Sequence, residues 1–205
     1  MNPCQIIQGD CLDVMRTMAD GSVDAVVTDP PYGLDFKGEA WDAFIPKWLG
    51  EARRVSRGPV VFTTAPTTLW DYPRPDWLLC WQRPAAQSRT IYGTFNHWSP
   101  IPVYGKGSWN PDCYRLDGNS AFRQSEGVEH PSPKPVSMVR WLIRGACESG
   151  GTVLDPFLGS GTTLVAAIEE GCMGIGIERE AAYVEIARAR VKHAAAQGNL
   201  FGATS

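Results

Sequence analysis

The sequence predicts an α/β fold: an open, mostly parallel sheet with helices on both faces. Short runs rich in Val and Ile, bounded by turn residues, have the length of buried strands, and between several of them apolar residues recur at helical spacing. Strands that alternate with helices favour parallel pairing. Ligands of such sheets bind beyond the carboxyl ends of the strands, so the residues that follow each run are candidates for a functional site.

The individual elements follow from these runs in chain order. Strands are predicted at residues 5–8, 23–28, 59–64, 152–154 and 173–177. Helices are predicted at residues 12–18, 41–55, 135–148, 162–170 and 181–196, the last of them ended by Gly198. The region 66–133 is rich in Pro, Trp, Tyr and Gly and only weakly periodic, so we expect short edge strands and long loops there.

The composition is typical of a globular protein with one domain. The chain has 205 residues, of which 43% are hydrophobic and 20% charged, enough for one core. It lacks an apolar run of about 18 residues and its start lacks the pattern of a signal peptide, so we expect a cytoplasmic protein without a membrane partner. The six cysteines form no CxxC pair and have no His at zinc-ligand spacing, so we expect reduced thiols and no metal.

Positive charge is concentrated in the middle of the chain. The formal net charge is -3, but residues 80–144 contain more Lys and Arg than Asp and Glu. This segment is where a surface that faces phosphate groups is expected. A solvated face with a chance excess of Arg is the alternative.

The first chemical motif, Asp29-Pro30-Pro31-Tyr32, directly follows the strand at 23–28. Two prolines fix φ twice and remove two backbone donors, which makes a stiff turn with outward carbonyls. An exocyclic amino group is a poor nucleophile because its lone pair is delocalised into the ring. The Asp29 carboxylate and the Pro30 carbonyl are two acceptors for its hydrogens, and Tyr32 offers a face for an extruded base. The alternative is a strand end with a packed tyrosine.

The second motif is a glycine-rich turn between the strand at 152–154 and the helix at 162–170. Gly159 and Gly161 allow close approach to the backbone, and the N–H groups that open the helix suit a carboxylate. The spacing is neither that of a P-loop nor GxGxxG, so a nucleotide-like ligand with a carboxylate fits better. Glu178 stands where an acidic residue would hold ribose hydroxyls. A surface glutamate at the start of a helix is the alternative.

In their order these motifs resemble those of the beta-class DNA amino-methyltransferases, in which the catalytic half precedes the cofactor half. The matched segments are 9–10, 29–32, 130–135, 155–163 and 174–178, and Tyr183, Ala187 and Arg190 continue the C-terminal helix pattern. The resemblance covers nearly the whole chain. It implies a Rossmann-like S-adenosylmethionine methyltransferase fold with circularly permuted motif order, and one domain at 1–205 made of a catalytic half (1–79), a short target-recognition region (80–133) and a cofactor half (134–205).

The resemblance also implies roles for individual residues. Asp29, Pro30, Pro31 and Tyr32 form the catalytic pocket, and transfer is a direct in-line displacement onto a flipped base. Lys134 contacts the methionine portion of S-adenosylmethionine or serves only to start a helix. Of the remaining cofactor-binding residues, Asp10 lies at the adenine, Glu178 at the ribose, and Asp155 and Thr162 near the methionine end. Phe157, Gly159 and Gly161 shape the turn. Ser160 and Asp29 also belong to this set.

The implied substrate is double-stranded DNA. Asp rather than Ser before Pro-Pro-Tyr favours adenine N6 over cytosine N4 as the target, and a homodimer is common in the class. Restriction-modification is the expected role, with phage self-protection and regulation as alternatives. Alternatives are a cytosine N4 enzyme, an RNA or protein amino-methyltransferase, and a nucleic-acid-binding module without turnover. Five side chains of the middle region either contact DNA or pack in core and loops: Trp98, Tyr104, Trp109, Arg115 and Arg123.

Overall fold

The computed structural model describes residues 3–32, 47–83, 96–115 and 134–201, and only the backbone of 198–201. The strands within these ranges are β1 (Cys4–Gln8), β2 (Ala25–Thr28), β3 (Val60–Phe62), β4 (Trp77–Gln82), β5 (Trp98–Tyr104), β6 (Cys113–Arg115), β7 (Thr152–Asp155) and β8 (Met173–Glu178). The helices are α1 (Cys11–Thr17), α2 (Trp48–Val55), α3 (Val136–Ala146), α4 (Thr162–Glu169) and α5 (Ala181–Phe201), with a 3₁₀ turn at Leu69–Asp71.

The strands form one sheet in the order β1-β8-β7-β2-β3-β5-β4-β6. The first five strands of this order pair in parallel. Strand β5 is antiparallel to both β3 and β4, and β4 is parallel to β6. Every strand except β5 therefore ends at the same side of the sheet, which we call the carboxyl edge. The predicted mostly parallel α/β sheet is confirmed.

Helices cover both faces of the sheet. Successive residues of a strand point to opposite faces, so each strand contributes side chains to both layers of the core. Val26 packs with Trp48 of α2 and Met15 of α1, whereas the next residue, Val27, packs with Met138 of α3. Helix α5 packs against α4 in a smaller cluster. Strand residues buried on both faces explain the continuous apolar runs of the sequence.

Two predicted boundaries are corrected by the structure. Helix α5 continues through Gly198 to Phe201 rather than ending there; one glycine costs a helix only about 1 kcal/mol, too little to stop an Ala-rich segment. Strand β2 begins at Ala25, and Val23 forms only an isolated bridge to Ser56. The helix predicted at 41–55 is seen from Trp48 onward, and residues 41–46 lie outside the described residues.

The expectation of short edge strands in the middle region is wrong for β4 and β5, which have six and seven residues and lie inside the sheet. Pro100 and Pro102 in β5 weaken the strand pattern because proline has no N–H to donate. The Pro100 carbonyl accepts a bond from Thr64 N, so the proline nitrogens face the side of the short strand β3. Few ladder bonds are lost there. Among the described residues, no helix is long and apolar enough to span a membrane.

Candidate active site

Acidic residues stand at or just after the carboxyl ends of four neighbouring parallel strands. In sheet order these are Asp10 after β1, Glu178 at the end of β8, Asp155 at the end of β7 and Asp29 after β2. The carboxyl edge therefore carries a row of four carboxyl groups. Sequence analysis predicted all four as site residues, and the fold brings them to one side of the sheet.

Asp29 is the centre of a hydrogen-bonded cluster. Its Oδ1 accepts a bond from the Tyr32 hydroxyl at 2.7 Å and another from the Thr63 hydroxyl. The two hydroxyls lie 3.0 Å apart. Thr63 is buried and follows β3, the strand next to β2. The predicted fixed relation between Asp29 and Tyr32 is thus seen, with Thr63 as the bridge between them.

Lys134 completes this cluster from the opposite half of the chain. Its Nζ lies 2.5 Å from Asp29 Oδ2 and 5.4 Å from the centre of the Tyr32 ring, and its side chain is only 13% exposed. Lys134 stands two residues before α3, at the start of a helix as one alternative had it. Its ammonium group also belongs to the Asp29 cluster. Its contact with the methionine portion stays a prediction, and residues 130–133 lie outside the described residues.

The Tyr32 hydroxyl is held in its protonated form. Burial raises the pKa of Tyr32 well above its ordinary value, and the Asp29 carboxylate raises it further. The phenol therefore donates to Asp29 and is unsuited to act as a base. Asp29 is the hydrogen-bond acceptor of the pair.

Asp155 connects β7 to β2. Its Oδ1 accepts bonds from the Thr28 hydroxyl at 2.5 Å and from Phe157 N at 3.0 Å, and the Thr163 hydroxyl bonds the same carboxyl group. Burial raises the pKa of this carboxyl to about 6, although the three bonds oppose the effect. Asp155 is 2% exposed, so its visible function is to order the turn, and its contact with a cofactor stays a prediction.

The glycine turn is bent by left-handed backbone at two positions. Gly159 has φ +52° and Gly161 has φ +87°. A Cβ on Gly161 would lie 3.0 Å from the Cβ of Ala187 in α5. Sequence analysis assigned this glycine to close approach of a ligand. The structure shows that it also allows α5 to pack against the start of α4.

Two carboxylates flank this turn. Glu178 Oε2 accepts a bond from Gly159 N and Oε1 accepts one from Glu180 N, each at 2.8 Å. Asp10 Oδ1 caps α1 by accepting from Leu12 N at 2.9 Å. Each carboxylate offers about four lone-pair positions, so both keep acceptor capacity for ligand hydroxyl or amino groups.

Arg190 of α5 binds the glycine turn through one backbone carbonyl and two hydroxyl groups. Its Nη1 donates to the Ser160 carbonyl at 2.7 Å, lies 2.9 Å from Ser160 Oγ, and lies 3.2 Å from Thr162 Oγ1. Both hydroxyls predicted to face a cofactor thus contact this guanidinium. Burial lowers the pKa of Arg190. Sequence analysis placed Arg190 in a helix pattern but missed this role, because the contact spans about 30 residues of chain.

A cavity of about 560 Å³ lies at the carboxyl edge beside β4, β5 and β6, lined by Cys80, Gln82, His97, Trp98 and Arg115. Trp98 is 42% exposed. Trp98 and Arg115, both candidates for DNA contact, therefore line an open surface at the carboxyl edge.

The other candidates for DNA contact have different surroundings. Tyr104 is buried and its hydroxyl donates to the Pro73 carbonyl at 2.5 Å. Trp109 packs on α3 and donates to the Leu142 carbonyl at 3.3 Å. Tyr104 and Trp109 therefore pack in the core, which was the alternative prediction for them. Arg123 lies outside the described residues.

Comparisons with known proteins identify the family of the chain. The family model N6_N4_Mtase, described as DNA methylase, matches residues 60–189, more than half of the chain. The Type II methyltransferase M2.MboI of Moraxella bovis is 26% identical over 237 aligned positions, covering 90% of this chain and 86% of that protein.

Two solved structures share the fold. The S-adenosylmethionine complex of M1.HpyAVI has a TM-score of 0.70 at 21% identity, covering 91% of this chain and 99% of the other. The cytosine-N4-specific PvuII DNA methyltransferase has a TM-score of 0.70 at 16% identity, covering 96% and 91%. The family match contains β3 to β8 and begins after Asp29 and Tyr32. Because it spans more than half of the sequence, the chain belongs to the N6_N4_Mtase family of DNA methylases.

Proposed function

We propose that this chain methylates double-stranded DNA, transferring a methyl group from S-adenosylmethionine to the exocyclic amino nitrogen N6 of a flipped adenine. The observation that carries the proposal is the Asp29 cluster, in which a carboxylate after β2 is fixed beside Tyr32. The carboxylate suits an amino group as the substrate. The nitrogen lone pair attacks the methyl group, and meanwhile the amino hydrogens need a hydrogen-bond acceptor. No covalent intermediate with the protein is required.

Asp29 has the two tasks of orienting the amino group and accepting its proton. Its Oδ1 is held by Tyr32 and Thr63, whereas Oδ2 is bonded by Lys134. The amino group takes the Oδ2 position as the flexible lysine side chain moves aside. Methyl transfer makes the nitrogen cationic, so its proton passes to Asp29.

Tyr32 gives the flipped base a stacking surface. A base outside the duplex loses its stacking partners, and an aromatic face restores about 1–3 kcal/mol of that energy. The Tyr32 ring is fixed through its hydroxyl, which donates to Asp29. Ring and carboxylate therefore keep a constant relation, which is what in-line transfer needs.

The acidic row of the carboxyl edge fits S-adenosylmethionine, a cationic ligand with hydroxyl and amino donors. When bound, this cofactor supplies an electrophilic methyl group on its sulfonium centre. Asp10 and Glu178 accept from adenine and ribose groups, and Phe157 shapes the turn beside them. The other residues of the cofactor site are Asp29, Lys134, Asp155, Gly159, Ser160, Gly161 and Thr162.

Cytosine N4 is the second candidate target. PvuII DNA methyltransferase, which shares the fold, is cytosine-N4-specific, and both amino groups need the same kind of acceptor. Asp at position 29 favours adenine. An RNA or protein amino nitrogen is a weaker candidate, because the family that the chain belongs to is described as DNA methylase.

The test is methyl transfer from labelled S-adenosylmethionine to unmethylated double-stranded DNA, followed by mass spectrometry of the nucleosides. We expect N6-methyladenine; N4-methylcytosine would replace the target and keep the mechanism. Asp29→Ala abolishes transfer but only weakens cofactor binding, because the other residues of the cofactor site remain, whereas the control Asp20→Ala, at a side chain 80% exposed, retains both. Cofactor binding without label on DNA would refute the proposal.

The organisation proposed with this function is one domain with a catalytic half at 1–79, a target-recognition region at 80–133 and a cofactor half at 134–205. A homodimer would let two small subunits share the duplex, and light scattering measures it. We also propose a cytoplasmic enzyme of a restriction-modification system. Its protection of host DNA against a cognate nuclease would test that role.

A further inference from the structure

Two buried hydrogen-bond donors remain unpaired at the end of β4. Among the side chains that the structure describes, the buried N and O atoms without a partner are Trp81 Nε1 and Arg83 Nε. Residues two apart on a strand point to the same face. The Arg83 guanidinium carbon accordingly lies 5.2 Å from the centre of the Trp81 ring. Unpaired buried donors are rare, so two on contacting side chains indicate a missing acceptor.

Arg83 stands beside the catalytic cluster. Strand β4 ends at the same carboxyl edge as β2 and β3, and the Arg83 backbone N–H donates to the His97 carbonyl at 2.6 Å. Burial lowers the pKa of the Arg83 guanidinium, and Tyr32 and Asp29 act in the opposite direction. Only β5 separates β4 from β3 in the sheet, so Arg83 and the Asp29 cluster lie on the same stretch of the carboxyl edge.

Arg83 differs from the arginines that stabilise the fold. Arg54, Arg140 and Arg144 each form ion pairs with acidic side chains. For Arg83, no carboxylate within 4.0 Å is found in the described ranges, and the nearest catalytic carboxylate, Asp29, is paired with Lys134. A partly buried cation without an anionic partner is costly, and a ligand anion would remove that cost.

We propose that Arg83 is a positioning residue that binds a backbone phosphate next to the target nucleotide, with Trp81 Nε1 as an additional donor. The inference rests on the proposed function. A nucleotide that flips rotates about its own backbone, so its flanking phosphates come to the rim of the catalytic pocket. Arginine presents a planar fork that suits two phosphate oxygens, and the Trp81 ring holds that fork in one plane.

The variants Arg83→Gln and Arg83→Lys test this role, with Arg74→Gln as the matched control. Arg74 precedes β4 and is exposed at the opposite end of that strand. The probe is an unmethylated plasmid duplex. Arg83→Gln raises the KM for DNA about 10- to 100-fold, as expected for the loss of a charged hydrogen bond, and changes kcat less. It also reduces the slope of log affinity against log salt by about 0.9.

Arg83→Lys keeps the charge and hence the salt slope, but loses the fork and raises the KM for DNA several-fold. Trp81→Phe keeps an aromatic side chain and removes its donor, with a smaller rise in KM. Affinity for S-adenosylmethionine stays at the wild-type value in these variants and in Arg74→Gln. Arg83→Gln does not lower the unfolding midpoint, because it removes a costly buried charge, whereas Trp81→Phe lowers the midpoint because Trp81 is a core side chain. An unchanged KM and salt slope in a folded Arg83→Gln protein would overturn the inference.

A second measurement uses only the wild-type protein. Once the methylated base is mapped, short duplexes that carry a neutral methylphosphonate at a single linkage beside it are compared with the unmodified duplex. One linkage is expected to raise the KM about tenfold or more. Equal KM values for all duplexes would overturn the inference and leave the proposed function intact. Failure of the wild-type protein to methylate any DNA would instead remove the proposed function on which the inference rests.

Discussion

Gly161→Ala tests whether the glycine turn is shaped by backbone conformation alone or also by its contact with α5. Gly161 and Gly150 share the same backbone angle, φ +87°. A Cβ on Gly161 would lie 3.0 Å from the Cβ of Ala187 and 3.1 Å from its Cα, whereas one on Gly150 would meet nothing within 4 Å. Gly150→Ala therefore isolates the cost of the left-handed conformation.

The expected magnitudes follow from these two terms. An alanine in left-handed backbone costs about 1–2 kcal/mol, so Gly150→Ala lowers the free energy of unfolding by about that amount. Gly161→Ala adds overpacking against a helix backbone, about 1–3 kcal/mol more. The effect of each substitution on the unfolded chain is the same and cancels in the difference.

Urea denaturation followed by circular dichroism measures both losses, and calorimetry with S-adenosylmethionine measures the effect on the site. Gly161→Ala weakens cofactor binding and Gly150→Ala does not, since only the former displaces the turn. Gly161→Ala costs less in an Ala187→Gly background, because the nearest atom is then removed; recovery is measured against Ala187→Gly alone, since a glycine itself costs a helix about 1 kcal/mol. Equal losses in the two single variants, with no recovery in the double variant, would refute the packing argument.

Three further predictions concern other parts of the site. Because burial raises the pKa of Asp155 from 3.8 to about 6, the folded state binds the proton more tightly. The free energy of unfolding therefore falls by roughly 3 kcal/mol as pH rises from about 4 to 6; Asp155→Asn removes this dependence in urea titrations across that range. Thr63→Val deletes the bridge between Asp29 and Tyr32 and lowers kcat about tenfold, while Thr63→Ser retains it; equal kcat values in both variants would contradict the bridging role. Arg190→Met releases the turn, lowers the free energy of unfolding by about 2 kcal/mol and weakens cofactor binding, as denaturation and calorimetry report.

The fold was predictable to the extent that local pattern determines it. Buried parallel strands such as Ala25–Thr28 are apolar on both faces, so they stand out in the sequence. Strand β5 did not stand out because it contains two prolines, and its place inside the sheet depends on which neighbour those prolines face. The pairing of the strands determines which neighbour the prolines face, and strand pairing leaves no pattern in the local sequence.

The residues of the site could be predicted because they follow the ends of strands. The contacts between them could not be predicted from the sequence. Asp29 and Tyr32 share one motif, so their proximity follows from sequence. Thr63 follows the neighbouring strand β3 as Asp29 follows β2, and strand adjacency was the signal that could have found it. Lys134 is 105 residues from Asp29, and only the tertiary fold brings the two together.

Three side chains donate hydrogen bonds to Asp29, and they differ in how easily an incoming substrate can displace them. Oδ1 is bonded by Tyr32 and Thr63, which are held at the ends of adjacent strands, so this oxygen serves to fix the carboxylate. Oδ2 is bonded by Lys134, whose four-carbon side chain can change conformation without moving the backbone. An incoming amino group therefore displaces the lysine rather than the hydroxyls. The carboxylate thus stays ordered and charge-balanced before a base arrives, and the exchange requires movement of one side chain.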